Sequence, residues 1–551
     1  MARTRGFGAF CASLFLLTAG LAWGQGQFER EFRPEPEPRR APEPVIPPGA
    51  DVRAPAGAGE VRFVLQSVQV DGVTAYSPAE IRASYADLLG TEITLARVYD
   101  IAGDLTRRYR NDGYVLSQVV VPEQAIRAGA VRLQAIEGYV ANVRIEGTVL
   151  GPRADLEAYA ERIRRSRPLR AADLERYLLF VSELAGVTAR ATLAPAVEPG
   201  ASDLTIAIDQ RRASGAVALT NRGSKSLGPW RVDASAEAYS LFGAFDRASL
   251  RVIQTVFDAD ELTFLGGAYE RPLGSDGLRG IVTANYVDST PGPPQNLNLP
   301  TSSVSGTASL VVPIRRARTG NLSVRGTFSA FNGQTDFEGE ELSEDRIRAV
   351  RVGLAWDAID AWRGVSLADL EISQGLKGLG ASPYGSPLAS RAGGRPDFTK
   401  VTLYAARLQS LAPRVSVLAA VNAQYAFNEL LSPEEFAYGG EQFGRAYDVA
   451  TLLGDSGVAF KIDLRYTDRT EWAIAREVMP YVFYGIGAVW QRSPPPGQSS
   501  RSSAANVGAG VRVTGERGFS GYAEVATPLT HIVTEEGSKK TRVFVAVQLA
   551  F

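Results

Sequence analysis

The chain of 551 residues holds one cysteine, Cys11, one histidine, His531, and two methionines. A single thiol excludes an internal disulfide, and one histidine without further thiols leaves no ligand set for a zinc site. His531 falls in a segment expected to be an external loop, where it reads as a surface residue. Lys and Arg number 59 against 60 Asp and Glu, a net charge of −1. A nucleic-acid partner would call for a basic excess, so none is expected. Past the N-terminus no apolar run reaches the length of a membrane-spanning helix. No nucleophile elbow or phosphate-binding loop stands out. The pairs Glu340-Glu341 and Glu535-Glu536 lie in expected loops, where solvated charge explains them better than acid–base chemistry. No metal, cofactor or enzymatic activity is therefore expected.

At the N-terminus, Arg3 and Arg5 precede an apolar run from Phe7 to Ala22, followed by the small residues around Gly24. Residues 1–24 read as a cleaved secretory signal. Cys11 lies inside it, so the exported chain would carry no thiol. Residues 25–60 are rich in Pro, Glu, Arg and Gly and read as an extended linker or a brief plug. Gln27 to Glu31 can begin a helix, but the prolines from Pro34 forbid a long one.

Two similar α/β modules follow, at 61–138 and 139–212. Val68-Gln-Val-Asp-Gly72 recurs as Val143-Arg-Ile-Glu-Gly147. In the first module Ser77-Pro78-Ala79-Glu80 is a capping box with proline at the first helical position. Leu95, Val98, Ala102, Leu105 and Tyr109 keep helical spacing up to Gly113. Tyr114–Val121 and Ala130–Ile136 then alternate as strands. The second module repeats the order, with strands over Val187–Leu193 and Asp203–Ile208.

From residue 213 to 551 helical spacing gives way to period-two alternation, with sixteen candidate strands. Val458, Phe460, Ile462, Leu464 and Tyr466 alternate with Ala459, Lys461, Asp463 and Arg465. The final stretch sets Val543, Val545, Val547, Leu549 and Phe551 on one face; on the other only Phe544 breaks a small-or-polar pattern. Alternation that stops on an aromatic residue is typical of the closing strand of an outer-membrane barrel. The gaps 288–302, 332–345, 375–397, 428–456, 491–504 and 527–540 are long and follow odd-numbered strands, as external loops would. Even-numbered strands mostly end in short turns. The expectation is α+β modules followed by a 16-stranded antiparallel transmembrane barrel. A cylinder of that size satisfies its backbone within lipid and encloses a wide, water-filled lumen lined by the charged residues.

Residues 436–466 carry, in order, Gly439-Gly440, Gly444-Arg445-Ala446-Tyr447 and Gly454-Asp455-Ser456-Gly457. This set resembles the sixth-loop segment of the two-partner secretion transporters, the haemolysin and filamentous-haemagglutinin secretion/activation family, in the superfamily of the BamA barrel-assembly factor. The resemblance implies two POTRA modules in the periplasm and a sixteen-stranded barrel in the bacterial outer membrane. It implies a gating loop, held in the lumen by Arg445 and Tyr447. In the family the loop arginine pairs with an aspartate of a Phe-x-Asp-x-Gly motif on the next strand. Phe483 and Gly487 match that motif here, but Gly485 stands at the aspartate position. Arg445 must then find another inward carboxylate, and Asp463 and Glu524 are the candidates. The alternative is an arginine solvated in an external loop.

The function the resemblance implies is export of one large unfolded β-helical partner protein, haemolysin- or adhesin-like, from periplasm to cell surface. The modules would recognise it by strand addition at sheet edges, with Val115–Val121 and Thr188–Leu193 as candidates. The barrel would meet lipid and lipopolysaccharide as a monomer. A BamA-type insertase and a passive pore are the alternatives.

Overall fold

The computed structural model describes residues 53–292, 299–494, 499–533 and 535–551. The expected signal and the Gln27–Glu31 segment lie outside the described residues. The chain forms two compact units that meet in sequence between Gln210 and Arg211.

The first unit contains both modules. In chain order the first comprises β1 (Arg62–Val64), β2 (Ser67–Asp71), α1 (Pro78–Arg82), β3 (Glu92–Thr94), α2 (Leu95–Asn111), β4 (Gln118–Val120) and β5 (Ala130–Ile136). Ser77 and Glu80 cap α1 reciprocally, and the Thr94 hydroxyl accepts from the Arg97 N–H at the start of α2. The helical face Val98, Ile101, Ala102, Leu105 and Tyr109 packs on Val119, Val131 and Leu133 of the sheet β2-β5-β4. Strand β4 is shorter than the alternation of Tyr114–Val121 predicts. Past Gly113 the chain turns, with the Ser117 N–H bonded to the Tyr114 carbonyl at 3.0 Å. Tyr114 is thereby turned into edge-on contact with Tyr109, 5.9 Å between rings. Core packing overrides local strand preference there.

The second module comprises β6 (Tyr139–Gly147), α3 (Arg153–Arg164), α4 (Ala171–Ser182), β7 (Val187–Pro195) and β8 (Ala201–Gln210), with sheet order β6-β8-β7. The repeated glycines have a steric reason. Gly72 and Gly147 both have positive φ, and a Cβ there would meet the Ala135 and Ile208 carbonyl oxygens at 2.4 and 2.0 Å. Gly72 lets β2, and Gly147 lets β6, leave its three-stranded sheet beside the module's last strand. The modules share one joint. The Leu169 and Ala171 N–H groups bond the Gly138 and Gly113 carbonyls, both at 2.8 Å, and Arg170 Nη2 donates to the Tyr114 hydroxyl at 3.0 Å.

The second unit is a closed antiparallel barrel of sixteen strands, the first (Ala213–Thr220) pairing with the last (Arg542–Ala550). That seam is short: five residue pairs close it, against eighteen between the seventh (Gly320–Phe337) and eighth (Glu340–Ile359) strands. The seventh and eighth strands also correct an expectation. Residues 332–345 are not a long loop but the continuation of both strands around a turn at Glu338-Gly339, and Glu340-Glu341 lie within the eighth strand. Pairing there is carried by backbone and polar side chains. The apolar alternation that marks a strand facing lipid is absent, so the pattern did not announce it. Along the twelfth strand (Ser456–Tyr466) Phe460, Ile462 and Leu464 are exposed on the outer face, while Lys461, Asp463 and Arg465 are buried in the lumen.

Candidate functional site

The connection between the eleventh strand (Val415–Ala426) and the twelfth folds back into the barrel. Ser432–Glu434 makes a single helical turn, and Phe436–Tyr438 pairs with Leu452–Gly454 as a two-stranded ribbon. Gly454 therefore belongs to the ribbon, and Asp455 follows it directly. The rings of Phe436 and Tyr438 fit against the wall because Gly457 and Gly487 have no side chains. A Cβ at either position would lie 2.0–2.2 Å from the facing ring. Gly439, Gly440 and Gly444 have φ of 125°, 94° and 91° and bend the chain at the top of the ribbon.

Arg445 sits at the apex and is 4% exposed, which sets aside a solvated external arginine. Its Nη2 donates to Asp463 at 3.0 Å, and its Nη1 lies 3.6 Å from Glu524. Its guanidinium stacks over Phe483, 4.5 Å from the ring centroid. Asp463 faces Phe483 in register across the neighbouring strands, and Arg465 shares the same carboxylate at 2.9 Å. The acid thus sits one strand away from Gly485. A carboxylate buried between two arginines keeps its charge because they offset its lost hydration; an unpaired one would not.

Glu524 is shared as well. It pairs with Arg222 and accepts from the Tyr481 hydroxyl at 2.7 Å. Arg222 follows the first strand, lies over the Phe544 ring at 4.1 Å and donates to the Arg445 carbonyl at 3.1 Å. Phe544, the residue that broke the terminal pattern, faces inward for that reason and joins Ala446, Tyr481 and Phe483 in one cluster. Arg542 bonds the Ala446 carbonyl at 3.2 Å and Asp448 at 2.7 Å. The Tyr447 hydroxyl donates to the Ala505 carbonyl at 2.7 Å.

His531 is not simply at the surface. Its backbone N–H donates to the Tyr447 hydroxyl at 3.3 Å and its ring lies 6.4 Å from that of Tyr447. Glu535 is likewise no free loop charge: it accepts from the Lys225 N–H at 2.8 Å and from the Ser226 hydroxyl. Phe551 is exposed, its backbone bonded both ways to Gly215 at 2.9 Å.

Asp455 does not join the Arg445 cluster. It accepts from Arg391 at 2.7 Å and from the Leu430 and Arg492 N–H groups at 2.7 and 2.8 Å. Glu434, just before the ribbon, is fully buried between Arg351 and Lys400, both at 2.7 Å. The motif residues therefore fall into two groups, one at the apex and one at the base of the loop. Sequence reasoning passed over Arg222, Arg351, Lys400, Arg391 and Glu434. Their only signal is that Arg351 and Lys400 are charges on the inward face of alternating strands.

A closed barrel with α/β modules ahead of it and a charged loop folded into its lumen is the build of an outer-membrane polypeptide transporter. The chain belongs to the haemolysin secretion/activation protein family ShlB/FhaC/HecB, whose pattern matches residues 200–513, and residues 63–138 match the ShlB-type POTRA domain. Among its relatives, the heme/hemopexin transporter protein HuxB of Haemophilus influenzae is 24% identical over 490 residues, covering 85% of this chain and 84% of that one. The outer membrane transporter CdiB of Dickeya dadantii is 21% identical over 424 residues, covering 73% and 72%. The solved structure of CdiB from Escherichia coli aligns with a TM-score of 0.74 at 18% identity, covering 93% and 94%. The chain is an outer-membrane transporter of the two-partner secretion class, with its POTRA region in the periplasm.

Proposed function

We propose that this transporter exports one large, unfolded partner protein of β-helical, haemolysin- or adhesin-like type, and that residues 439–451 are its gate. Export follows removal of residues 1–24. It involves no catalytic step, and the barrel works as a monomer in contact with lipid and lipopolysaccharide. Domain limits at 61–138, 139–212 and 213–551 follow the two modules and the barrel. The names of HuxB and CdiB point to heme/hemopexin in one relative; the cargo here is defined only by its chemistry, an extended chain able to add a strand. The edge strands β4 and β7 overlap the two candidate segments; in β4 the Val119 N–H is taken by the Thr106 hydroxyl at 2.9 Å, so β7 is the edge that offers main-chain hydrogen bonds with little sequence demand. The periplasm supplies no nucleotide, so folding of the partner outside the cell is the proposed source of energy.

The observation that carries the gate is the Arg445–Asp463 pair at 3.0 Å with Glu524 behind it. A charge cluster of this kind holds a loop in one position and releases it whole, since each member depends on the others. Asp463→Arg and Glu524→Arg are expected to raise resting conductance in planar bilayers and to lower export. Arg445→Asp combined with Asp463→Arg is expected to recover part of both. No change in either single variant would remove these residues from the gate. Deleting residues 61–212 is expected to abolish export while the barrel still conducts, which separates a secretion device from a passive pore.

A further inference from the structure

We infer that the lumen loop is built in two mechanical parts: a stem, residues 430–438 and 452–457, that stays on the wall throughout, and a tip, residues 439–451, that alone swings. This rests on the gating role proposed above and limits which atoms move.

The stem is held by buried charge: Glu434 is paired through both oxygens, and Glu435 beside it lies 3.2 Å from Arg391. Each Glu434 oxygen has a cation at 2.7 Å, Arg351 on Oε1 and Lys400 on Oε2. The Glu434 carbonyl accepts from Lys400 Nζ at 2.8 Å and Gln424 Nε2 at 3.0 Å. Asp455 closes the other leg through Arg391 and two backbone N–H groups. The two legs are joined by the ribbon, in which Ala437 stands opposite Leu453. Asn506 Nδ2 donates to the Tyr438 hydroxyl at 2.9 Å, fixing the ring over Gly487. Pulling the stem off the wall would strand three buried carboxylates, Glu434, Glu435 and Asp455, and three buried or part-buried cations, a large penalty.

The tip is held differently. Arg445 Nη1 and Asp463 Oδ1 are buried yet carry no hydrogen bond. Two of the remaining ties run from side chains to main-chain carbonyls of the tip, Arg222 to Arg445 and Arg542 to Ala446; the others use tip side chains, Asp448 with Arg542 and Tyr447 with Ala505 and His531. An extended polypeptide in the lumen presents the same carbonyls and can take those donors over one for one.

The boundaries of the tip are marked by the backbone. Gly439 and Gly440 have φ of 125° and 94°, and at the far end Ala450 has φ of 55°. A left-handed alanine is strained, and strain at a segment end is relieved when that segment rotates. Both ends of the tip are therefore places where the chain can turn without disturbing the ribbon.

The test uses single cysteines in the full-length chain, with Cys11 replaced by serine so that no other thiol exists. Ala446→Cys reports on the tip and Ala437→Cys on the stem. Each is reacted in liposomes with a membrane-impermeant maleimide, with and without Arg445→Asp to release the apex. The expected result is that Ala446→Cys labelling accelerates about tenfold on release while Ala437→Cys does not change. A second measurement joins Ala437→Cys to Leu453→Cys by a disulfide. The extra conductance caused by Arg445→Asp is expected to be the same in oxidised and reduced protein. Parallel acceleration at both cysteines, or loss of the opening on oxidation, would overturn the division into stem and tip and leave the gate standing. No acceleration at Ala446→Cys would overturn the gate itself, and the division with it.

Discussion

The two units of this chain solve the same problem in opposite directions. In the periplasmic modules Ile101, Leu105, Tyr109 and Leu133 are at most 1% exposed, and ion pairs such as Arg97–Asp100 lie in solvent. In the barrel the most deeply buried side chains include Arg351 and Lys400, at 1–2% exposure. Val282, Ile372 and Val352 meanwhile stand more than half exposed on the outer face. Each unit turns its apolar face away from water, and only the location of water has changed. Period-two alternation therefore says that two faces differ without saying which is inside. Strand number, strand length and the order of long and short connections settle it.

The sharpest break in the comparison comes from removing a buried carboxylate. Glu434→Ala leaves Arg351 and Lys400 without their shared partner and is expected to destabilise the barrel by about 3–5 kcal/mol, read as the unfolding transition of detergent-solubilised protein. A cost below about 1 kcal/mol would place the cluster with exposed ion pairs, and the lumen would then count as surface rather than interior. The counterpart in the modules is Leu133→Ala, expected to cost roughly 2–5 kcal/mol through lost burial and a residual cavity. It should shift only the transition of the first unit. On the lipid face Ile462→Arg is expected to cost about 2–4 kcal/mol if that position lies near the bilayer midplane. The same strand already carries an arginine on its lumen face, at Arg465.

These contrasts also explain what was legible in the sequence. The sixteen strands could be read because lipid on one side and water on the other force strict alternation over most of each strand. The modules could be read because capping residues and helical spacing are local. What could not be read depends on partners far apart in the chain. Glu524 and Arg222 are separated by 302 positions, and nothing near either announces the pair. Phe544 breaks the terminal alternation because its partner is Arg222, which lies over its ring and is far away in the chain. The hairpin across 332–345 escaped because its strands pair through polar residues that no lipid sorts. The motif order Gly-Gly, Arg-x-Tyr, Gly-Asp-x-Gly was visible, but its division between apex and base was not. Asp455 and Arg445 stand only ten positions apart and take unrelated partners.

The smallest expected effect concerns Glu137, a charged group in the modules that behaves as the lumen charges do. Its carboxylate accepts from the Thr74 and Ala75 N–H groups at 2.8 and 2.9 Å, from the Tyr109 hydroxyl at 2.7 Å and from the Thr74 hydroxyl. Burial pushes the carboxyl upward, but these donors outweigh it and hold the group below its ordinary value of 4.5. A carboxylate depressed in the folded state adds stability that is complete above its unfolded value and is lost as pH falls through its folded value. The modules should therefore weaken progressively below about pH 4.5. Glu137→Gln keeps the shape and removes the charge. It is expected to lower stability by about 1 kcal/mol at neutral pH and to flatten the acid limb of the first unit's transition, with wild type and variant converging at low pH. If the two curves stayed parallel, the clamp would act through shape alone. Buried charge held by hydrogen bonds would then be confined to the barrel, and the contrast between the units would be complete.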